Sequence, residues 1–148
     1  MRVEATIDLP APPEEVFEVV MDPQRLEEWV TAHDSVKEVP EGPLAEGSEF
    51  RQKLKVAGVT FGVTWKVTEI DEPRLAVWEG NGPAGSKARC RYELEPDDGG
   101  TRFHYLNEFE LPGGKVAAAA GKAIGEERGR AEAEKSLENL RNLLAERS

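Results

Sequence analysis

Between residues 34 and 111 the chain alternates apolar and polar residues in one segment after another. Phe50, Gln52, Leu54 and Val56 alternate with Arg51, Lys53 and Lys55. Val59, Phe61, Val63, Trp65 and Val67 alternate with Thr60, Gly62, Thr64, Lys66 and Thr68. Ala88, Cys90, Tyr92 and Leu94 alternate with charged residues, and Phe103, Tyr105, Asn107 and Phe109 with Arg102, His104 and Glu108. Side chains of a strand point to opposite faces in turn, so each segment has one apolar and one wet face. That is the habit of an antiparallel sheet with one side in water. Leu75 to Glu79 is a shorter strand with an ambiguous inward face, because Ala76/Trp78 and Leu75/Val77 are both apolar. Ala57-Gly58, Glu72-Pro73 and Asp97-Asp98-Gly99-Gly100 punctuate the run as turns.

The two ends are different. Ala5, Ile7 and Leu9 mark a first strand, which Pro10, Pro12 and Pro13 end. Pro12 and Pro13 suit a helix start, with Glu14 and Glu15 favoured by the dipole of the first turn. Asp22-Pro23 repeats the signal, so two short helices are expected at about 12–21 and 23–30. Trp29 shares a stripe with Leu26 and Val30 and is expected to be buried. After Pro112-Gly113-Gly114 the composition turns to Ala, Glu, Lys, Arg and Leu, a helix reaching about Leu144. One straight helix over 114–147 would be about 51 Å long, whereas a domain of this size is roughly 38 Å across. The apolar phase also shifts between Val116–Ile124 and Ala133–Leu144. Both facts predict a break between Gly121 and Gly129. The segment 116–124 would then be a separate flap, beside a loop at 80–86 at the cavity mouth.

A chain of 148 residues is the size of one domain, and residues 1–148 are read as one, with 39% hydrophobic residues to build its core. Acids outnumber bases 29 to 19, for a net charge of −10. Such a surface repels DNA, RNA and anionic membranes, so no nucleic-acid partner is expected. No apolar run is long enough to span a bilayer, and MRVEATIDLP is not a signal peptide. A cytoplasmic protein, monomer or homodimer, is expected.

Gly80-Asn-Gly82-Pro-Ala-Gly85 spells a dinucleotide-loop pattern after a strand, but no helix follows it. Pro83 sits inside it and an alternating strand comes next, so it reads as a hairpin loop. Two histidines and one cysteine, with no paired spacing, speak against a metal site. His104 lies opposite Phe103 and Tyr105 and reads as solvated, while His33 is either a pocket-rim or an ordinary loop residue. Neither a metal nor a cofactor is expected.

The aromatic residues are more informative. Phe50, Phe61, Trp65, Tyr92, Phe103, Tyr105 and Phe109 all fall on the apolar phases of successive strands. They are either plain core or the lining of a cavity that one helix cannot fill. Glu126, Gly129, Arg130 and Ala133, in phase with Leu137, are the helical positions that would face it. Glu126 and Arg130 could instead form an ordinary surface pair.

The order of elements resembles the helix-grip arrangement of the START-related, birch-pollen-allergen-like (SRPBCC) superfamily, most of all its bacterial polyketide cyclase/dehydrase group. The residues that carry the likeness are Ala11–Phe17, Asp22–Trp29, Trp65–Leu75, Tyr92–Pro96 with Gly100–Arg102, and Ser136–Leu144. The resemblance implies an α+β fold: a seven-stranded curved antiparallel sheet around a long C-terminal helix, with two short helices after strand 1. It implies a small hydrophobic ligand, such as a lipid, polyketide or aromatic, between sheet and helix. The candidate ligand-binding residues on the sheet are Phe50, Phe61, Val63, Trp65, Trp78, Cys90, Tyr92, Phe103, Tyr105 and Asn107, joined by Glu126 and Arg130 of the helix. A cyclase- or dehydratase-type enzyme using Glu126, Arg130 and Tyr105 is the alternative, and a ligand-free interaction domain the third reading. An inward cluster of two or more ionisable groups would favour the enzyme, one or no inward charge the carrier, and a cavity filled by side chains the interaction domain.

Overall fold

The computed structural model describes residues 2–56, 59–82, 85–110 and 114–147, without the side chains of 56, 59, 109–110, 114–128 and 147. Its architecture is the expected α+β helix grip. Seven strands form one curled antiparallel sheet: β1 (Arg2–Leu9), β2 (His33–Lys37), β3 (Glu49–Val56), β4 (Val59–Asp71), β5 (Leu75–Asn81), β6 (Lys87–Asp97) and β7 (Gly100–Glu110). The order across the sheet is β1-β7-β6-β5-β4-β3-β2. From β2 to β7 each strand pairs with the next in the chain, and the first strand closes on the last. β1 and β2 therefore stand on opposite edges, and the chain between them crosses the molecule.

That crossing is made by α1 (Pro13–Val20) and a six-residue 3₁₀ helix, Pro23–Glu28. Proline at the start and Glu14 and Glu15 in the first turn set α1 as expected. The second helix is tighter than the α-helix expected over 23–30: Asp22 caps it by accepting from the Gln24 N–H at 3.0 Å, and it ends within six residues. Val16, Val19, Val20, Leu26 and Trp29 turn inward and are almost fully buried.

The hairpin between β6 and β7 shows how locally the register is written. Asp97 pairs with Gly100, and Asp98 and Gly99 between them both have positive φ, 48° and 82°. An Asp-Gly pair tolerates that two-residue turn, whose twist matches the strands. Ala57-Gly58 lies outside the described residues, although Val56 and Val59 pair across it. Leu75 to Trp78 of β5 are all buried, which is why neither phase stands out in the sequence.

α2 (Gly114–Arg147) is one helix of 34 residues, so the expected break between Gly121 and Gly129 is absent. Each glycine costs about 1 kcal/mol in a helix interior, but Ala117–Ala120 and Ala123 around them are the best helix formers. The length limit assumed a helix confined to the sheet's footprint, and a separate flap over 116–124 goes with the break. α2 is seated by Ala133, Leu137, Leu140 and Leu144, all buried. No helix among the described residues is long and apolar enough to cross a membrane.

Candidate functional site

The curled sheet, the segment after the 3₁₀ helix and α2 enclose a cavity of about 160 Å³. Its floor is a row of inward side chains on neighbouring strands. Asn107 pairs with Cys90 and Cys90 with Trp78; one row further, Tyr105 pairs with Tyr92. The rings form a continuous array. Trp65 and Trp78 meet edge-on at 6.1 Å, Trp78 and Tyr92 at 5.4 Å, and Tyr92 stacks on Tyr105 at 5.9 Å. Such tilted and offset contacts are the favoured ones for aromatic pairs, so the wall is stiff as well as apolar.

Three polar groups interrupt it. In the first, Trp65 Nε1 donates to Gln52 Oε1 at 2.9 Å, and Gln52 Nε2 lies 2.9 Å from His33 Nδ1. With its oxygen engaged by Trp65, the Gln52 amide turns its N–H to the histidine, whose Nδ1 accepts. Burial lowers the His33 pKa from its ordinary value, against the opposing pull of Glu27 and Asp34. In the second, Asn107 Nδ2 donates to the Tyr105 hydroxyl at 2.8 Å, with the Cys90 thiol and Tyr92 hydroxyl beside them. Burial pushes Cys90 up to about 12 and both tyrosines well above their ordinary range, so this cluster is neutral. In the third, Thr31 joins the loop to α2: its N–H donates to Ser136 Oγ at 3.0 Å and its hydroxyl to Glu132.

The structure places the sequence-derived residues differently. Trp65, Trp78, Cys90, Tyr92, Tyr105 and Asn107 line the cavity. Phe50, Val63 and Phe103 are buried behind the wall, Phe50 5.3 Å from Trp78 and Phe103 5.3 Å from Tyr92. Phe61, opposite Leu54 in the β3–β4 hairpin, is half-buried and does not line the cavity. Arg130 is exposed and lines nothing. The side chain of Glu126, like that of Phe109, lies outside the described residues. α2 reaches the cavity through the stripe beside Arg130, namely Gly129, Glu132, Ala133 and Ser136. The leucine face used to phase the helix sits on the core, and the cavity opens on its flank.

Sequence reasoning missed Gln52, Thr31, Glu132 and Ser136. Gln52 carries a local signal, a polar residue in the inward phase between Phe50 and Leu54. The Thr31 contacts join residues 101 and 105 positions apart and carry none. The 80–86 hairpin is not part of the described lining. Gly80 belongs to β5, opposite Trp65 in register, and Gly82 N–H closes the loop onto the Ser86 carbonyl at 2.9 Å. Among the described residues no three His, Cys, Asp or Glu side chains gather as a metal site would require.

A family model described as polyketide cyclase/dehydrase and lipid transport matches residues 1–145. An uncharacterised protein of Mycobacterium tuberculosis is 28% identical over 145 residues, covering 95% of this chain and 96% of its own. Among solved structures, a protein of Thermus thermophilus superposes with a TM-score of 0.78 at 19% identity, over 100% of this chain and 99% of its own. Ara h 8.0201 superposes with a TM-score of 0.65 at 19% identity, over 99% and 98%. These likenesses in structure concern the fold.

Proposed function

The chain belongs to the polyketide cyclase/dehydrase and lipid transport family, and from that premise we infer that it is a binding protein for one small hydrophobic molecule, held between the curled sheet and α2. The observation that carries this reading is the character of the wall. Trp65, Trp78, Tyr92 and Tyr105 present continuous ring surface, and the one formal charge in the described lining is Glu132, engaged by Thr31. Affinity comes from apolar surface removed from water, at roughly 25 cal/mol per Å².

Acid–base chemistry of a cyclase or dehydratase needs a group poised near the working pH. Cys90, Tyr92 and Tyr105 are held protonated far above it, and Arg130 lies outside the cavity. Among the described residues, which do not include the Glu126 side chain, this supports holding a ligand over transforming one. Titration with toluene, followed by calorimetry and by the emission of Trp65 and Trp78, tests the reading. Saturable one-to-one uptake is expected. Ala133→Leu, which grows a side chain into the cavity, should weaken it at least about tenfold while unfolding remains cooperative. Absence of saturable binding, or equal binding by the filled variant, would count against the cavity.

A further inference from the structure

The second polar group of the wall has hydrogen-bonding capacity that the protein leaves unused. The Tyr105 oxygen accepts from Asn107 Nδ2, and the tyrosine proton meets no acceptor among the described residues. Asn107 Oδ1 is buried and has no partner among the described residues. At least one donor, the tyrosine O–H, and one acceptor, the amide oxygen, are thus left over on two side chains that line the same cavity, besides the second amide N–H. A surplus of both kinds survives a flip of the amide: Asn107 Oδ1 would then take the tyrosine proton, leaving both amide N–H groups and a tyrosine lone pair. An unmatched buried polar atom is costly, so a matched pair at the edge of an apolar cavity favours a ligand group that both donates and accepts. A hydroxyl is the smallest such group.

Three further constraints narrow the class. The cavity of about 160 Å³ is close to the roughly 150 Å³ that holds benzene, so one ring with small substituents fills it. Its walls are aromatic rings, which suit a flat partner. No Lys, Arg or His is in the described lining, so nothing there compensates an anion taken from water. Resting on the cavity reading above, we propose that the protein recognises simple uncharged phenols, with the ligand hydroxyl bridging Tyr105 and Asn107. Tyr105 and Asn107 are then the residues that determine specificity, and the tryptophans supply the bulk of the affinity.

The test uses three probes with one ring and one methyl group in common: p-cresol, toluene and p-toluate. At pH 7.5, p-cresol should bind about tenfold or more tightly than toluene, as expected for two gained hydrogen bonds, and p-toluate should not bind. Tyr105→Phe keeps the ring and removes the hydroxyl; Asn107→Leu removes the amide. Each should bring p-cresol down to the affinity that the same variant has for toluene, and cooperative urea unfolding of each variant certifies that it is folded. Equal binding of toluene and p-cresol by the wild type would overturn the phenol assignment and leave the cavity reading intact. So would tight p-toluate binding, or a p-cresol preference that survives Tyr105→Phe. Binding of none of the three would overturn both.

Discussion

Gly80 shows how one residue shapes the wall. It stands opposite Trp65 in the β4–β5 register, and a Cβ there would lie 2.6 Å from Val63 Cγ1 and 2.9 Å from Trp65 Cε3. The indole cannot swing away without losing its bond to Gln52. Gly80→Ala should therefore destabilise the fold by about 1–3 kcal/mol, read from the shift in a urea midpoint; an unchanged midpoint would mean that the wall yields freely. His33, at the far end of the same chain of bonds, makes the wall sensitive to acid. Burial depresses its pKa in the folded state, so on acidification the unfolded chain takes the proton first. The stability it contributes is complete above about pH 6.5 and is lost as the pH falls from there through the lower folded value. A protonated Nδ1 also faces the Gln52 N–H, and relief requires turning the amide that holds Trp65. Urea midpoints measured from pH 8 to pH 5 should fall less steeply in His33→Gln than in the wild type; parallel profiles would remove His33 from the account.

Among the described residues, the contacts that seat α2 come from Glu132 to Leu144. Leu140 and Leu144 are fully buried, Ser136 and Glu132 bond Thr31, and Asn139 Nδ2 reaches the Trp29 carbonyl at 3.3 Å. Leu140→Ala removes packed carbons where little can collapse, and should cost about 2–5 kcal/mol in chemical denaturation. Arg130→Ala, one turn before the buried stretch and exposed, should stay within about 0.5 kcal/mol. A large effect at Arg130 would mean that the leucine stripe continues inward and that the cavity flank is misplaced.

At the scale of the whole molecule, the fold leaves space between sheet and helix that the described side chains do not fill. A ligand that binds the folded state alone must stabilise it by mass action, about 2.7 kcal/mol at one hundred times its Kd. Thermal unfolding should therefore shift upward with p-cresol concentration and keep rising logarithmically beyond saturation. A melting temperature indifferent to p-cresol would contradict specific occupancy of the cavity. Acids dominate the surface, with a net charge of −10, which adds nothing to the attraction of an uncharged molecule and repels an anionic one at long range.

Much of this was legible in the sequence because strand patterning is local. A period of two assigns Cys90, Tyr92, Tyr105 and Asn107 to one face, and the Asp98-Gly99 turn sets the register that puts Tyr92 beside Tyr105. The burial of Trp29 followed in the same way from its stripe. The helical side of the cavity was legible only in part: Gly129 and Ala133, expected to face it, line it, whereas Arg130 does not and Glu132 and Ser136 were missed. A helix offers residues in every direction, and which flank faces the cavity depends on how the whole helix is seated. Arg130 and Gly129 differ by only about 100° around the axis, yet the first is exposed and the second lines the cavity. The bonds of Thr31 to Glu132 and Ser136 exist only once the chain has closed over a hundred residues. Strand faces are set by neighbours two residues apart, whereas the helix face over the cavity is set by the packing of Leu137, Leu140 and Leu144 in the assembled core.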